Sequence, residues 1–172
     1  ECLNGDLEQN ERTEVLEKFS NQSLSILVAT DVAARGLDIE ALPAVINYNM
    51  PSDANEYIHR MGRTGRAGKK GLVFSFFDSH EQEKLKAINK LTKKTGKIGD
   101  TSKITFDKKY DLIPPMQTMY ISGGKRDRLR PGNIVGALVG EAKIDANEIG
   151  NISVQNAFSF VAITSRSIEQ AV

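Results

Sequence analysis

The chain has 172 residues, of which 40% are apolar and 26% charged. That composition excludes disorder and collagen-like repeats, and a chain this long can bury roughly two thirds of its unfolded surface without a metal or disulfide. Net charge is only +1, so a general basic coat is excluded; the cations are instead local, five in residues 60–70 with no acid and four in residues 125–130 with one.

Taken in chain order, residues 3–6 read as a strand end and a turn, so the chain is expected to begin part-way through a fold. Apolar spacing predicts a helix from about Leu7 to Phe19. Leu24–Thr30 is apolar and β-branched and predicts a buried strand. Ala44–Asn49 predicts another, stopped by Pro51. Ser52 or Asp53 can cap the next helix, which carries Tyr57, Ile58 and Met61 and ends between Gly62 and Gly65. Gly71–Phe77 predicts a third buried strand. Ser79 opens an amphipathic helix with Leu85, Ile88 and Leu91 on one face. Strands alternating with helices predict a parallel sheet of the α/β class, whose ligands sit at the carboxyl ends of the strands. No apolar run is long enough to span a membrane. The single cysteine, Cys2, fits a reducing cytoplasm. With two histidines besides, no metal site is expected.

The pattern changes between residues 96 and 115, which predict a linker ending at Pro114-Pro115. Beyond it come a strand at Met116–Ile121, a glycine- and arginine-rich turn at Gly123–Gly132, and a helix at Asn133–Gly140 entered through Pro131. Strands at Ile149–Val154 and Phe158–Thr164 follow, then the start of a helix at Ser165–Val172. This β-α-β-β-α order lacks one strand of a split βαβ unit.

Two segments carry the chemistry. In His59-Arg60-Met61-Gly62-Arg63-Thr64-Gly65-Arg66, arginines three apart are expected to form a row on one side of a helix. Guanidinium forks suit phosphoryl oxygens. The second segment, Val28 to Ile39, leaves a strand for a turn. Thr30 offers a hydroxyl and an amide to a phosphate, and Asp38 can accept a ribose hydroxyl; Asp31 and Asp38 can equally cap a helix or pair with Arg35.

Together these segments resemble the signature motifs of the second RecA-like lobe of DEAD-box RNA helicases. Gln9-Asn10-Glu11-Arg12 resembles an upstream motif of the same lobe. The resemblance covers about the first 95 residues and implies roles by position. Arg63 and Arg66 would reach the ATP phosphates, Arg66 as the arginine finger. Asp38 and Gly36 would lie on the nucleotide, with Asp38 at the ribose. Gly5, Arg12 and Thr30 would touch the RNA backbone. His59, Arg60 and Asp31 would couple the two ligands. Asn4 stands where many relatives have histidine. The chain contains no Gly-x4-Gly-Lys-Ser/Thr loop and no Asp-Glu-Ala-Asp string. In the family these belong to an N-terminal lobe, together with the magnesium ligands. This chain alone is therefore expected not to hydrolyse ATP, and to supply half of a composite site closed by that lobe.

Met119-Tyr120-Ile121 and Asn156 to Ile163 resemble the strand motifs of an RNA recognition motif. Tyr120, Phe158 and Phe160 either stack bases or fill the core. Residues 121–138 are similar to the C-terminal RNA-binding domain of the DbpA/YxiN branch of the helicase family, and the cold-shock CsdA/DeaD branch carries a similar stretch. That resemblance implies docking to 23S ribosomal RNA during ribosome assembly. Lys125, Arg126, Arg128 and Arg130 are the candidate phosphate contacts.

The expectation is a RecA-like parallel-sheet lobe (1–95), a linker (96–115) and a small α+β RRM-like domain (116–172). It would be the C-terminal part of a monomeric ATP-dependent RNA helicase of a bacterial cytoplasm. The alternatives are a general cold-shock helicase, an RNA-binding module without turnover, and a DNA helicase lobe. The last would not predict the second domain.

Overall fold

The computed structural model describes residues 1–34, 39, 41–65, 70–107, 109 and 111–172. They fall into two compact units, Glu1–Leu37 with Lys108–Val172, and Asp38–Asp107.

In the first unit, β1 (Cys2–Leu3) pairs in parallel with β2 (Val28–Ala29). The connection is α1 (Gln9–Ser20). Its N-terminus is closed by a capping box in which the Glu8 amide donates to Glu11 Oε2 at 2.9 Å, which satisfies donors the helix cannot. Leu3 is fully buried. Of the predicted strand Leu24–Thr30, the ladder holds Val28–Ala29, and backbone bonds from Glu1 N to Ile26 O at 3.2 Å and from Thr30 N to Leu3 O at 3.1 Å flank it. Val28 is also exposed, not buried as predicted. The short helix α2 (Asp31–Ala34) follows directly.

The same unit contains β5 (Met116–Ile121), α5 (Pro131–Gly140), β6 (Ile149–Val154), β7 (Ser159–Thr164) and α6 (Ile168–Ala171). The strands form an antiparallel sheet in the order β5-β7-β6, with Tyr120 opposite Phe160 and Ser153 opposite Phe160 from the other side. Period-two alternation sends Val161 and Ile163 to one face. There they meet Ile134 and Leu138 of α5 and Ile144, with Met119, Ile121, Leu129, Ile149, Ile152 and Ile168 around them. Each fully buried Ile or Leu of that cluster stabilises by roughly 1.5–3 kcal/mol. Pro131 occupies the first helical position of α5, where its missing N–H costs nothing.

In the second unit, β3 (Ala44–Asn47) pairs in parallel with β4 (Leu72–Ser75). The crossover is α3 (Ala54–Met61), and α4 (Gln82–Thr92) packs beside it, with Ile88 buried. The parallel pairing expected from strand–helix alternation is thus present in both ladders. Asp53 caps α3, accepting from the amides of Asn55 at 2.7 Å and Glu56 at 2.9 Å. The cap before α4 is Asp78, not Ser79: it accepts from His80 N at 2.7 Å and opens a 3-10 turn that leads into the helix. The predicted linker holds another such turn, Thr101–Lys103, capped by Asp100. Hydrogen bonds from Ser102 hold the Asp100 carboxyl below the ordinary carboxylate range.

Candidate nucleotide and RNA interfaces

The arginine-rich segment begins on α3 and leaves it. The helix stops at Met61 with Gly62 at its C-cap. The next residues are drawn into strand-like pairing: Leu42 N donates to Arg63 O at 2.9 Å, and the buried Thr64 hydroxyl donates to Leu42 O. Arg60 therefore sits on the helix, whereas Arg63 sits in the turn beyond it. This corrects the expectation of one helical row. Spacing gave the row, but the Leu42 bridge ends the helix before its second member. Arg66 lies outside the described residues, as do Gly36 and Asp38.

Gly71 makes that turn possible. A Cβ at this position would fall on the Thr64 hydroxyl and within 2.5 Å of the Gly65 nitrogen. Arg63 itself is half-buried and His59 is exposed.

Arg60 is held on several sides. Its Nη1 donates to Asn47 Oδ1 at 3.2 Å and to the Asn49 carbonyl at 2.9 Å. Its Nη2 lies 3.6 Å from Glu56 Oε1. The other Glu56 oxygen accepts from the Ser52 amide at 2.7 Å and hydroxyl at 2.6 Å. Asn47, only 2% exposed, also donates Nδ2 to Ser75 Oγ at 3.0 Å. A polar network thus runs from β4 through β3 to α3 and fixes the guanidinium. Sequence reasoning did not assign Asn47 or Glu56 to the site. A usable signal was present for Asn47: a polar residue following Ala44, Val45 and Ile46 in a strand needs a buried partner.

At the carboxyl ends of β1 and β2, Gly5 follows the first strand in open space and Thr30 follows the second. The Thr30 amide donates to Leu3 O at 3.1 Å, while its side chain is exposed. Arg12 Nη2 donates to the Ala33 carbonyl of α2 at 2.6 Å, tying α1 to the same edge. Asp31 opens α2. The structure therefore brings Gly5, Arg12, Thr30 and Asp31 to one end of this ladder, where ligands of α/β sheets bind.

The second cationic segment is a built loop. Lys125–Asp127 forms a 3-10 turn. Lys125 N donates to Gln155 O at 2.8 Å and Arg126 N to Asn156 O at 2.9 Å, which pins the turn to the β6–β7 connection. Asp127 accepts from Gly124 N at 2.9 Å. Its charge is spent on its own backbone. A Cβ at Gly124 would lie 2.5 Å from Gln155 O, so only glycine allows this approach. Lys125, Arg128 and Arg130, with Leu129 and Asn133, line an open cleft of about 570 Å³ beside the start of α5. Arg126 is exposed but is not part of that lining.

Tyr120, Phe158 and Phe160 form one cluster on the sheet face away from α5. Tyr120 and Phe158 are stacked with centroids 5.8 Å apart, and Phe160 meets both edge-on. Phe160 is 3% exposed, whereas Tyr120 is 58% exposed. The rings are thus absent from the helix-side core. Among the described residues, no group of His, Cys, Asp and Glu could hold a metal ion.

Residues 1–68 match the family of the helicase conserved C-terminal domain, and residues 118–172 match the DbpA RNA binding domain. The ATP-dependent RNA helicase DbpA of Escherichia coli is 40% identical over 161 residues, which cover 94% of this chain and 35% of that protein. The ATP-dependent RNA helicase DeaD of Haemophilus influenzae is 56% identical over 63 residues, 37% of this chain and 10% of that one. The solved C-terminal domain of the DEAD-box protein Dbp5 is similar at 39% identity with a TM-score of 0.50, over 54% of this chain and 55% of that one. The chain thus spans about a third of the length of the DbpA relative and less of the DeaD relative.

Proposed function

Because the chain belongs to the DEAD-box helicase family, we propose that it is the C-terminal part of an ATP-dependent RNA helicase that remodels large-subunit (23S) ribosomal RNA during ribosome assembly. One observation carries this reading. A helicase C-terminal domain and a DbpA RNA binding domain occur in the same chain, and the second bears a cleft lined by three cations. The similarity to DbpA runs through both parts, whereas the similarity to DeaD covers 37% of the chain. That difference favours the ribosomal reading over a general cold-shock helicase.

In this proposal ATP is the substrate, and magnesium is held mainly by carboxylates of an N-terminal lobe. Arg63 and Arg66 stabilise charge on the transferring phosphoryl group, and Asp38 and Gly36 border the nucleoside. Pre-positioned cations need no reorganisation as charge develops; the Leu42–Thr64 bridge holds the turn carrying Arg63. His59 and the braced Arg60 transmit closure between nucleotide and RNA, with Asp31. Gly5, Arg12 and Thr30 contact the RNA backbone at the strand ends. Lys125, Arg126, Arg128 and Arg130 hold phosphates of the target RNA, and the tethered domain raises the local concentration of the motor. The protein acts as a monomer in the bacterial cytoplasm. No described helix is long and apolar enough to cross a membrane.

The test is Arg66→Ala in the full-length protein. RNA-stimulated ATP hydrolysis should fall by roughly 10³–10⁵-fold, the scale of arginine fingers. Hydrolysis near the wild-type rate would remove the finger assignment. A wild-type protein with no RNA-stimulated hydrolysis would leave an RNA-binding module.

A further inference from the structure

The sheet β5-β7-β6 has two faces, and α5 and α6 cover only the one that holds Val161 and Ile163. Alternation turns Phe160 and Ala162 to the other face, with Thr118, Tyr120 and Ser153 beside them by register. Neither α5 nor α6 lies there, yet Phe160 is 3% exposed and Ala162 is fully buried.

Phe160 packs against the rings of Tyr120 and Phe158, Ala162 lies beside Gly150, and the end of α1, from the far end of the same unit, meets this face through polar groups. Ser153 Oγ donates to Glu17 Oε1 of α1 at 2.5 Å, and Gln155 Nε2 donates to Ser153 Oγ at 2.9 Å. Asn21, which caps α1 and is 6% exposed, donates Nδ2 to Thr118 Oγ1 at 2.8 Å. The Ser23 hydroxyl lies 2.8 Å from the same oxygen. The contact is polar, matched group to group, and places the Glu17 carboxylate on the face. A carboxylate repels the phosphates that a base-stacking platform would have to accept nearby. The basic cleft opens elsewhere, because its lining residue Leu129 packs into the helix-side core.

We propose that the helix-free sheet face is an intrachain docking surface for the end of α1. It seats the RNA-binding domain on the helicase segment through Glu17–Ser153 and Asn21–Thr118, beside the ring cluster of which Tyr120 stays exposed. RNA then enters through the cleft beside α5. Only that last step rests on the proposed function; the docking itself does not.

The experiment uses the full chain with Cys2→Ser, Glu17→Cys and Ser153→Cys, treated with a short bis-methanethiosulfonate. A chain with Glu17→Cys and Glu141→Cys serves as control. Docking predicts intramolecular cross-linking of the first pair and little of the control; equal yields would overturn it. The cross-linked chain should bind a structured ribosomal RNA fragment within about twofold of the untreated chain, and a loss of about tenfold or more would show that RNA needs this face. If the untreated chain binds no RNA, the proposed function fails while the cross-link still judges the docking. Glu17→Ala and Ser153→Ala provide a second route that needs no cysteine. Docking predicts non-additive effects on unfolding, and strict additivity would overturn it.

Discussion

Asn47 is polar, almost fully buried and placed in a strand, and the guanidinium of Arg60 explains why. The amide accepts from Arg60 and donates to Ser75, so both of its ends are used. Asn47→Leu keeps the volume but removes the side-chain acceptor that Arg60 Nη1 uses on β3 and the amide donor to the Ser75 hydroxyl. Unsatisfied buried groups cost roughly 1–3 kcal/mol, and urea unfolding should show a loss of that size. Asp53 acts more locally. Asp53→Ala removes the acceptor for two amides at the start of α3, and should cost about 1 kcal/mol, measured as a lower unfolding midpoint. At this scale the sequence was readable where the interaction is local, as at Asp53. It was opaque where the partner is remote: nothing near Asn47 in the chain announces Arg60 thirteen positions later.

The strands β5 and β6, set between turn residues, coincide with their predicted bounds. Two other segments depart from prediction for reasons the sequence does not show. The arginine row was inferred from helical spacing, which cannot register that Thr64 finds a better partner in Leu42 than in another helical turn. Composition predicts a strand over Leu24–Thr30, and it cannot register which of those residues enter the ladder, here Val28–Ala29. Close backbone approaches were equally hidden. Gly124 reads as one more loop glycine, yet the loop carrying the cations is fastened against residues 155–156 at that point. Gly124→Ala should therefore destabilise by roughly 1–3 kcal/mol, as overpacking does. It should also weaken RNA binding, because Lys125 and Arg126 lose their anchor. Thermal melting beside an RNA titration checks both effects, and an unchanged melting temperature would contradict the packing argument.

For the whole molecule, the two cationic segments matter more than the net charge of +1. Of the described cations, Arg60 and Arg63 lie at the end of α3 and in the turn beyond it, and Lys125, Arg128 and Arg130 line one cleft. If Lys125, Arg126, Arg128 and Arg130 each meet a phosphate, log affinity against log salt should have a slope of roughly −3 to −4. A slope near zero would show that this loop is not the phosphate contact. Periodicity places Phe158 and Phe160 on one side of a strand but cannot say what else meets that side, since Glu17 and Asn21 lie near the opposite end of the chain. In the proposed function the appended domain directs the motor to ribosomal RNA. The ATPase rate of the full-length protein, measured with a large-subunit ribosomal RNA fragment and with an unrelated structured RNA at equal nucleotide concentration, tests this. Much stronger stimulation by the ribosomal fragment is expected. Equal stimulation by both would contradict it and leave a helicase with a general grip on RNA.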